Sequence, residues 1–134
     1  MARMDATRVP VLIVDDQEPF RGAARVVLGR TDGFDLVGEA RSGEEAVDLV
    51  DQLHPGMVLM DINMPGINGI EATRRIVDAH PETMVVLVST YQVSDLPADA
   101  QTSGASGYLN KEDLTPRVLR RLWEGRHNGG WRSV

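Results

Sequence analysis

Side chains suited to metal and phosphoryl chemistry stand where apolar runs end. Asp15 and Asp16 follow Val9–Val14, Asp61 follows Met57–Met60, Ser89 follows Met84–Val88, and Lys111 follows Tyr108-Leu109-Asn110. Carboxylates brought within a few Å of one another raise each other's pKa unless a cation is present. Hard oxygen ligands in a small open site suit Mg²⁺, which keeps several waters and takes only a few carboxylates. An ammonium and a hydroxyl facing such a cluster make a place for a phosphoryl group, with an aspartate as nucleophile, metal and lysine on the phosphoryl oxygens, and serine as donor. Each residue alone has an ordinary explanation: an Asp-Asp turn or cap, a loop before Pro65-Gly66, a strand-end hydroxyl, a solvated lysine. Their joint position at strand ends is what those explanations leave out.

The elements that must bring them together are short. Runs of four to six residues rich in Val, Ile and Leu suit parallel strands covered on both faces, with Leu36–Ala40 as a weaker second run. Between them, Phe20, Ala23, Ala24, Val27 and Leu28 recur at helical spacing. Ser42-Gly43-Glu44-Glu45 is a capping box before Ala46, Val47, Leu49, Val50 and Leu53, and Pro55-Gly56 ends that helix. Ile70, Thr73, Ile76 and Val77 form a third apolar face. Thr115-Pro116 opens a last helix carrying Val118, Leu119, Leu122 and Trp123, closed by Gly125. The stretch Gln92–Ser103 is the weak member, with only Val93, Leu96 and Ala100 to bury, so its helix is expected to be short, shifted or mobile. Strand–helix alternation with right-handed crossovers gives an α/β class, a parallel sheet with helices on both faces. An order of 2-1-3-4-5 makes the first and third strands neighbours, and ligands bind at that carboxyl edge where the order reverses.

Composition narrows the function. At 134 residues the chain is one domain's worth, and 42% hydrophobic with 25% charged residues argues against disorder, collagen and coiled coil. No apolar run approaches the roughly 18–20 residues of a membrane span, and the start lacks the apolar core of a signal peptide. There is no cysteine, which removes disulfides and thiol chemistry. The expected location is cytoplasmic. A net charge of −6 speaks against a nucleic-acid surface on this chain. Of the 14 basic residues only Lys111 is lysine, a compact charge on a flexible stem where a guanidinium would be planar and broad.

Val11-Leu12-Ile13-Val14-Asp15-Asp16, Met60-Asp61-Ile62-Asn63-Met64-Pro65-Gly66, Val88-Ser89 and Gly104-Ala105-Ser106-Gly107-Tyr108-Leu109-Asn110-Lys111 resemble the receiver domains of two-component response regulators, most closely those that precede a LuxR/NarL-type helix-turn-helix. The resemblance implies a five-stranded flavodoxin-like receiver fold over 9–125, an N-terminal extension 1–8 and a flexible C-terminal tail 126–134. It implies that Asp61 accepts a phosphoryl group from a histidine kinase, a phosphotransfer protein or a small phosphodonor. Asp15, Asp16, Asp61 and the Asn63 backbone carbonyl would hold Mg²⁺, and Lys111 would pair with the phosphoryl oxygens. Ser89 would swing toward the phosphoryl with Tyr108 following inward, so Ser89, Thr90 and Tyr108 are the implied switch residues. Partners would be the kinase, an output domain or protein, and a second copy through the fourth helix, fifth strand and fifth helix or through helices one and five. Thr90 replaces a small residue and is expected to narrow access to Asp61. Asn68 replaces a common aspartate, and Glu112-Asp113 follows the lysine where many receivers have proline. A receiver cut from a LuxR-type transcription regulator is the alternative, although the Gly-Gly-Trp tail leans toward a free-standing receiver. A Mg²⁺-dependent aspartyl-phosphate phosphatase is disfavoured by Asn63 in place of a general acid. A flavin or nucleotide module is disfavoured because Asp15-Asp16-Gln17-Glu18 repels phosphate. The chain is thus read as a phosphoacceptor, not a turnover enzyme.

Overall fold

The protein is described here from a computed structural model covering residues 8–127 and 130–133. Its elements run β1 (Val9–Val14), α1 (Glu18–Gly29), β2 (Phe34–Ala40), α2 (Gly43–Leu53), β3 (Met57–Asp61), α3 (Gly69–Ala79), β4 (Met84–Ser89), β5 (Gly107–Asn110), α4 (Pro116–Glu124) and β6 (Arg132–Ser133). The strands pair in the order β2-β1-β3-β4-β5-β6, all parallel. The first five therefore follow the expected 2-1-3-4-5 order. β6 is an addition: part of the tail expected to fray pairs Arg132 with Gly107 and Ser133 with Tyr108. Residues 1–7, 128–129 and 134 of the expected extension and tail lie outside the described residues.

Strand pleating sorts the core into two halves. Leu12, Val14, Val58, Met60, Val85 and Leu87 pack with α2 and α3, while Val11, Ile13, Met57, Leu59, Val86 and Val88 pack with α1 and α4. Both faces are covered, so the strands read as continuous apolar runs. Each fully buried aliphatic side chain contributes about 1.5–3 kcal/mol over its exposed state. β2 was the weak run because it is the edge: a bulge between Val11 and Leu12 skips Val37, which is 38% exposed.

The helix starts follow their caps. Ser42 Oγ accepts from Glu45 N–H, while Glu45 reaches back to the N–H of Arg41 rather than to that of Ser42. Thr115 accepts from Val118 N–H with proline at the first turn. Asn68, whose role in place of aspartate was open, caps α3 by accepting from Glu71 N–H.

Two features differ from expectation. Ala23 and Leu53 are exposed, because each sits at the margin of an apolar stripe narrower than its spacing suggested. Between β4 and β5 there is no α-helix but two 3₁₀ turns, Val93–Asp95 and Ala98–Ala100. Pro97 separates them, Ser94 and Asp95 favour turns over helix interior, and within the two turns only Ala100 is buried.

Between β3 and α3 the chain folds back so tightly that Gly69 N–H donates to Ile62 O at 2.9 Å, and a Cβ on Gly69 would stand 2.0 Å from Asp61 O. Gly69→Ala is therefore expected to lower the unfolding free energy by about 2–3 kcal/mol. Gly29→Ala, with nothing within 4 Å of the new methyl, should raise it by about 0.4–1 kcal/mol. Urea midpoints measure both, and equal effects at the two sites would contradict the packing argument.

Candidate functional site

Sheet register aligns the strand ends. Val14 pairs with Met60, Asp61 with Val88, and Ser89 with Asn110, so Asp15, Asp61, Ser89 and Lys111 arrive on one edge. Ligand oxygens of Asp15, Asp16 and Asp61 lie within 4.8 Å of one another. Lys111 reaches in among these carboxylates.

Asp15 is the fixed point. Its N–H donates to Ala40 O at 3.0 Å, its Oδ1 accepts from Gln17 N–H at 2.8 Å, and its carbonyl accepts from Arg21 Nη1 at 2.7 Å. Asp15 Oδ2 is buried and makes an ion pair with Lys111 Nζ at 2.7 Å, although the pair is not aligned as a hydrogen bond. Lys111 also reaches Asp61 Oδ1 at 3.7 Å and lies 4.9 Å from the Phe20 ring centroid. Asp16 is exposed. Asp61 is 5% exposed, and burial, with the Asp15 carboxylate next, pushes its pKa up to about 6. The Lys111 charge and the Asn63 N–H pull the other way. Three carboxylates that can each turn an oxygen toward one point fit a hard cation.

The opposite wall is a hydroxyl network. Ser89 is buried, and its Oγ lies 3.0 Å from the Tyr108 hydroxyl and accepts from Tyr91 N–H at 3.0 Å. Tyr108 is already inward at 1% exposure, where the resemblance implied that it would move inward on activation. Desolvation raises its pKa. Thr90 is exposed beside this wall. Asn63 is exposed on the loop after Asp61, and its side-chain amide donates to the Tyr91 hydroxyl at 2.9 Å.

Three contributors were missed from the sequence. Arg21 is 4% exposed beneath the cluster, holding Asp15 O and pairing with Glu18 at 2.7 Å and Glu39 at 3.2 Å. Phe20 was read only as core, yet it also underlies Lys111. Tyr91 carried no motif. Arg21 gave no signal beyond sharing a helical face with Ala24 and Leu28.

The response regulator receiver domain family matches residues 11–122. The chain belongs to that family. The transcriptional regulatory protein DegU of Brevibacillus brevis is 36% identical over 110 residues, covering 82% of this chain and 47% of the relative. The response regulator UvrY of Escherichia coli (strain K12) is 40% identical over 114 residues, covering 85% and 52%. A LuxR-family two-component response regulator from Aurantimonas sp. SI85-9A1 superposes with a TM-score of 0.81 at 31% identity, covering 95% of this chain and 89% of that one. This receiver domain therefore spans about half the length of the curated relatives it matches, and it is related to LuxR/NarL-type regulators.

The raised Asp61 pKa has a stability consequence. The folded receiver holds this proton more tightly than the unfolded chain, so the cost of ionising Asp61 is absent below about 4. That cost grows as pH rises and is complete above about 6. In metal-free buffer, Asp61→Asn is expected to gain about 1–3 kcal/mol at pH 7.5 and nothing near pH 4. Urea unfolding at the two pH values tests this, and an equal gain at both would contradict it.

Proposed function

We propose that Asp61 is the phosphoacceptor of this receiver and that its donor is a phosphohistidine of a histidine kinase or phosphotransfer protein, or a small acyl phosphate. The carrying observation is the Asp61 carboxylate itself: nearly buried, grouped with Asp15 and Asp16, and 3.7 Å from a lysine ammonium at the strand edge. An Asp61 carboxylate oxygen attacks phosphorus and a phosphorus–oxygen bond forms. The phosphorus–nitrogen bond of the phosphohistidine breaks, and its electron pair returns to the imidazole, which takes up a proton. With an acyl phosphate, the leaving group is the free carboxylate.

In this reading Asp15, Asp16, the Asp61 carboxylate and the Asn63 backbone carbonyl would hold Mg²⁺. The three carboxylates within ligand reach of one another support that assignment. When bound, the ion supplies positive charge to the phosphoryl oxygens. Lys111 supplies a second positive charge, and it is tethered on the correct side by Asp15 and Phe20. Its ammonium suits the space between two carboxylates better than a planar guanidinium. Ser89 donates its hydroxyl to the phosphoryl, with Thr90 and Tyr108 completing the switch wall. The chain transfers a phosphoryl to itself and loses it by hydrolysis, with no external substrate to turn over.

The output is a change of protein surface read by a partner or output domain. The DegU relative is a transcriptional regulator, which favours a DNA-binding output as the second reading. Homodimerisation through the β5–α4 face or through α1 and α4 is the matching proposal for a second copy. No described helix is long and apolar enough to cross a membrane, and the reading assigns the receiver to the cytoplasm.

Intact mass after incubation with acetyl phosphate and Mg²⁺ tests the reading. The expected result is one added phosphoryl that requires Mg²⁺ and is lost in Asp61→Asn. No uptake from acetyl phosphate or from a phosphorylated kinase would overturn it.

A further inference from the structure

Tyr91 is tied to both walls of the acceptor site. Its hydroxyl accepts from Asn63 Nδ2, two residues beyond Asp61, at 2.9 Å. Its N–H donates to Ser89 Oγ, and its carbonyl accepts from the Tyr108 hydroxyl at 2.6 Å and from Asn110 Nδ2 at 3.2 Å. The ring is half-buried and packs on the core side that holds Tyr108.

Proton counting shows what this network constrains. The Tyr108 hydroxyl has one proton, and Tyr91 O is its shortest acceptor; Ser89 O is the alternative at 2.9 Å. Ser89 Oγ, 3.0 Å away, then donates to the Tyr108 oxygen while accepting from Tyr91 N–H. Both functions of the Ser89 hydroxyl are committed away from Asp61. Tyr108 has no inward travel left. The side chain that bridges the two walls at the surface is Tyr91, through a single hydrogen bond to an exposed asparagine.

We propose that Tyr91 is the positioning latch of this receiver. In the unphosphorylated state its hydroxyl, held by Asn63, closes the loop after Asp61 against the Ser89 wall. When Ser89 turns its hydroxyl to the phosphoryl, the bond to Tyr91 N–H is lost and the ring is released to solvent, while Tyr108 stays buried. The inference rests on Asp61 as acceptor. It assigns the movement to a different side chain from the one implied by the family resemblance.

The composition makes the test clean, because the chain has two tyrosines, Tyr91 and Tyr108. Fluorine NMR of the 3-fluorotyrosine protein gives two signals, assigned with Tyr91→Phe. With acetyl phosphate and Mg²⁺, the Tyr91 signal is expected to become sensitive to a soluble paramagnetic chelate while the Tyr108 signal stays protected. Tyr91→Phe removes only the latch hydroxyl and should speed acetyl-phosphate labelling of Asp61 on the order of 2–10-fold, the worth of one net hydrogen bond in the closed population. In Tyr91→Phe without phosphodonor the Tyr108 signal should stay protected from the chelate, which a general loosening of the site would not leave so. A wild type that labels while Tyr108 becomes exposed, or a Tyr91→Phe that labels at the wild-type rate, overturns the latch and leaves the acceptor reading standing. A wild type that takes up no phosphoryl removes both.

Discussion

Two carboxylates taken out of water side by side, held together by backbone geometry and partly offset by one ammonium, are the constraint on which this receiver is built. Asp15 is pinned by its own N–H, its side-chain bond to Gln17 and the Arg21 guanidinium on its carbonyl, so it cannot retreat. Asp61 ends a strand whose register is fixed on both sides. Burial first, and the Asp15 charge second, raise the pKa of Asp61 to about 6. Lys111, drawn toward Asp15, reduces the cost of ionising Asp61 without removing it. A bound cation would relieve this cost.

The rest of the fold is arranged around that tension in two tiers. β1, β3 and β4 are sandwiched between two fully packed halves of the core, giving the acidic cluster a rigid floor. The segment after β4 is the opposite: short 3₁₀ turns, an exposed Val93, and one fully buried anchor at Ala100. Rigidity lies where charge must be held in place. The sparsely packed backbone lies next to Ser89 and Tyr91, where a two-state rearrangement has least to disrupt.

What the sequence revealed and what it hid follow from the same physics. The site acids, Ser89 and Lys111 could be picked out because all of them stand at the ends of apolar runs, a coincidence that separate turn and cap explanations leave out. Caps at Ser42 and Thr115 were legible because they are local. Arg21 was not, since a buried arginine looks like an exposed one until its partners Glu39 and Asp15 O are brought in by the fold. Tyr91 was hidden for the same reason: its partner Asn63 lies on a loop that only sheet order brings near. The missing helix between β4 and β5 was half visible in Pro97 and in the scarcity of apolar residues. The exposure of Ala23 and Leu53 was not, because helical spacing fixes a stripe's direction but not its width.

The most direct test of the central claim is the melting temperature against Mg²⁺ at constant ionic strength, at pH 7.5 and pH 5, for the wild type and Asp15→Asn. If three ionised carboxylates form the site, Mg²⁺ raises the melting temperature at pH 7.5 with the logarithmic concentration dependence of a bound ligand. The rise shrinks at pH 5, where Asp61 holds its proton, and is lost in Asp15→Asn. A wild-type melting temperature indifferent to Mg²⁺ at pH 7.5, or a rise undiminished at pH 5, would contradict the account.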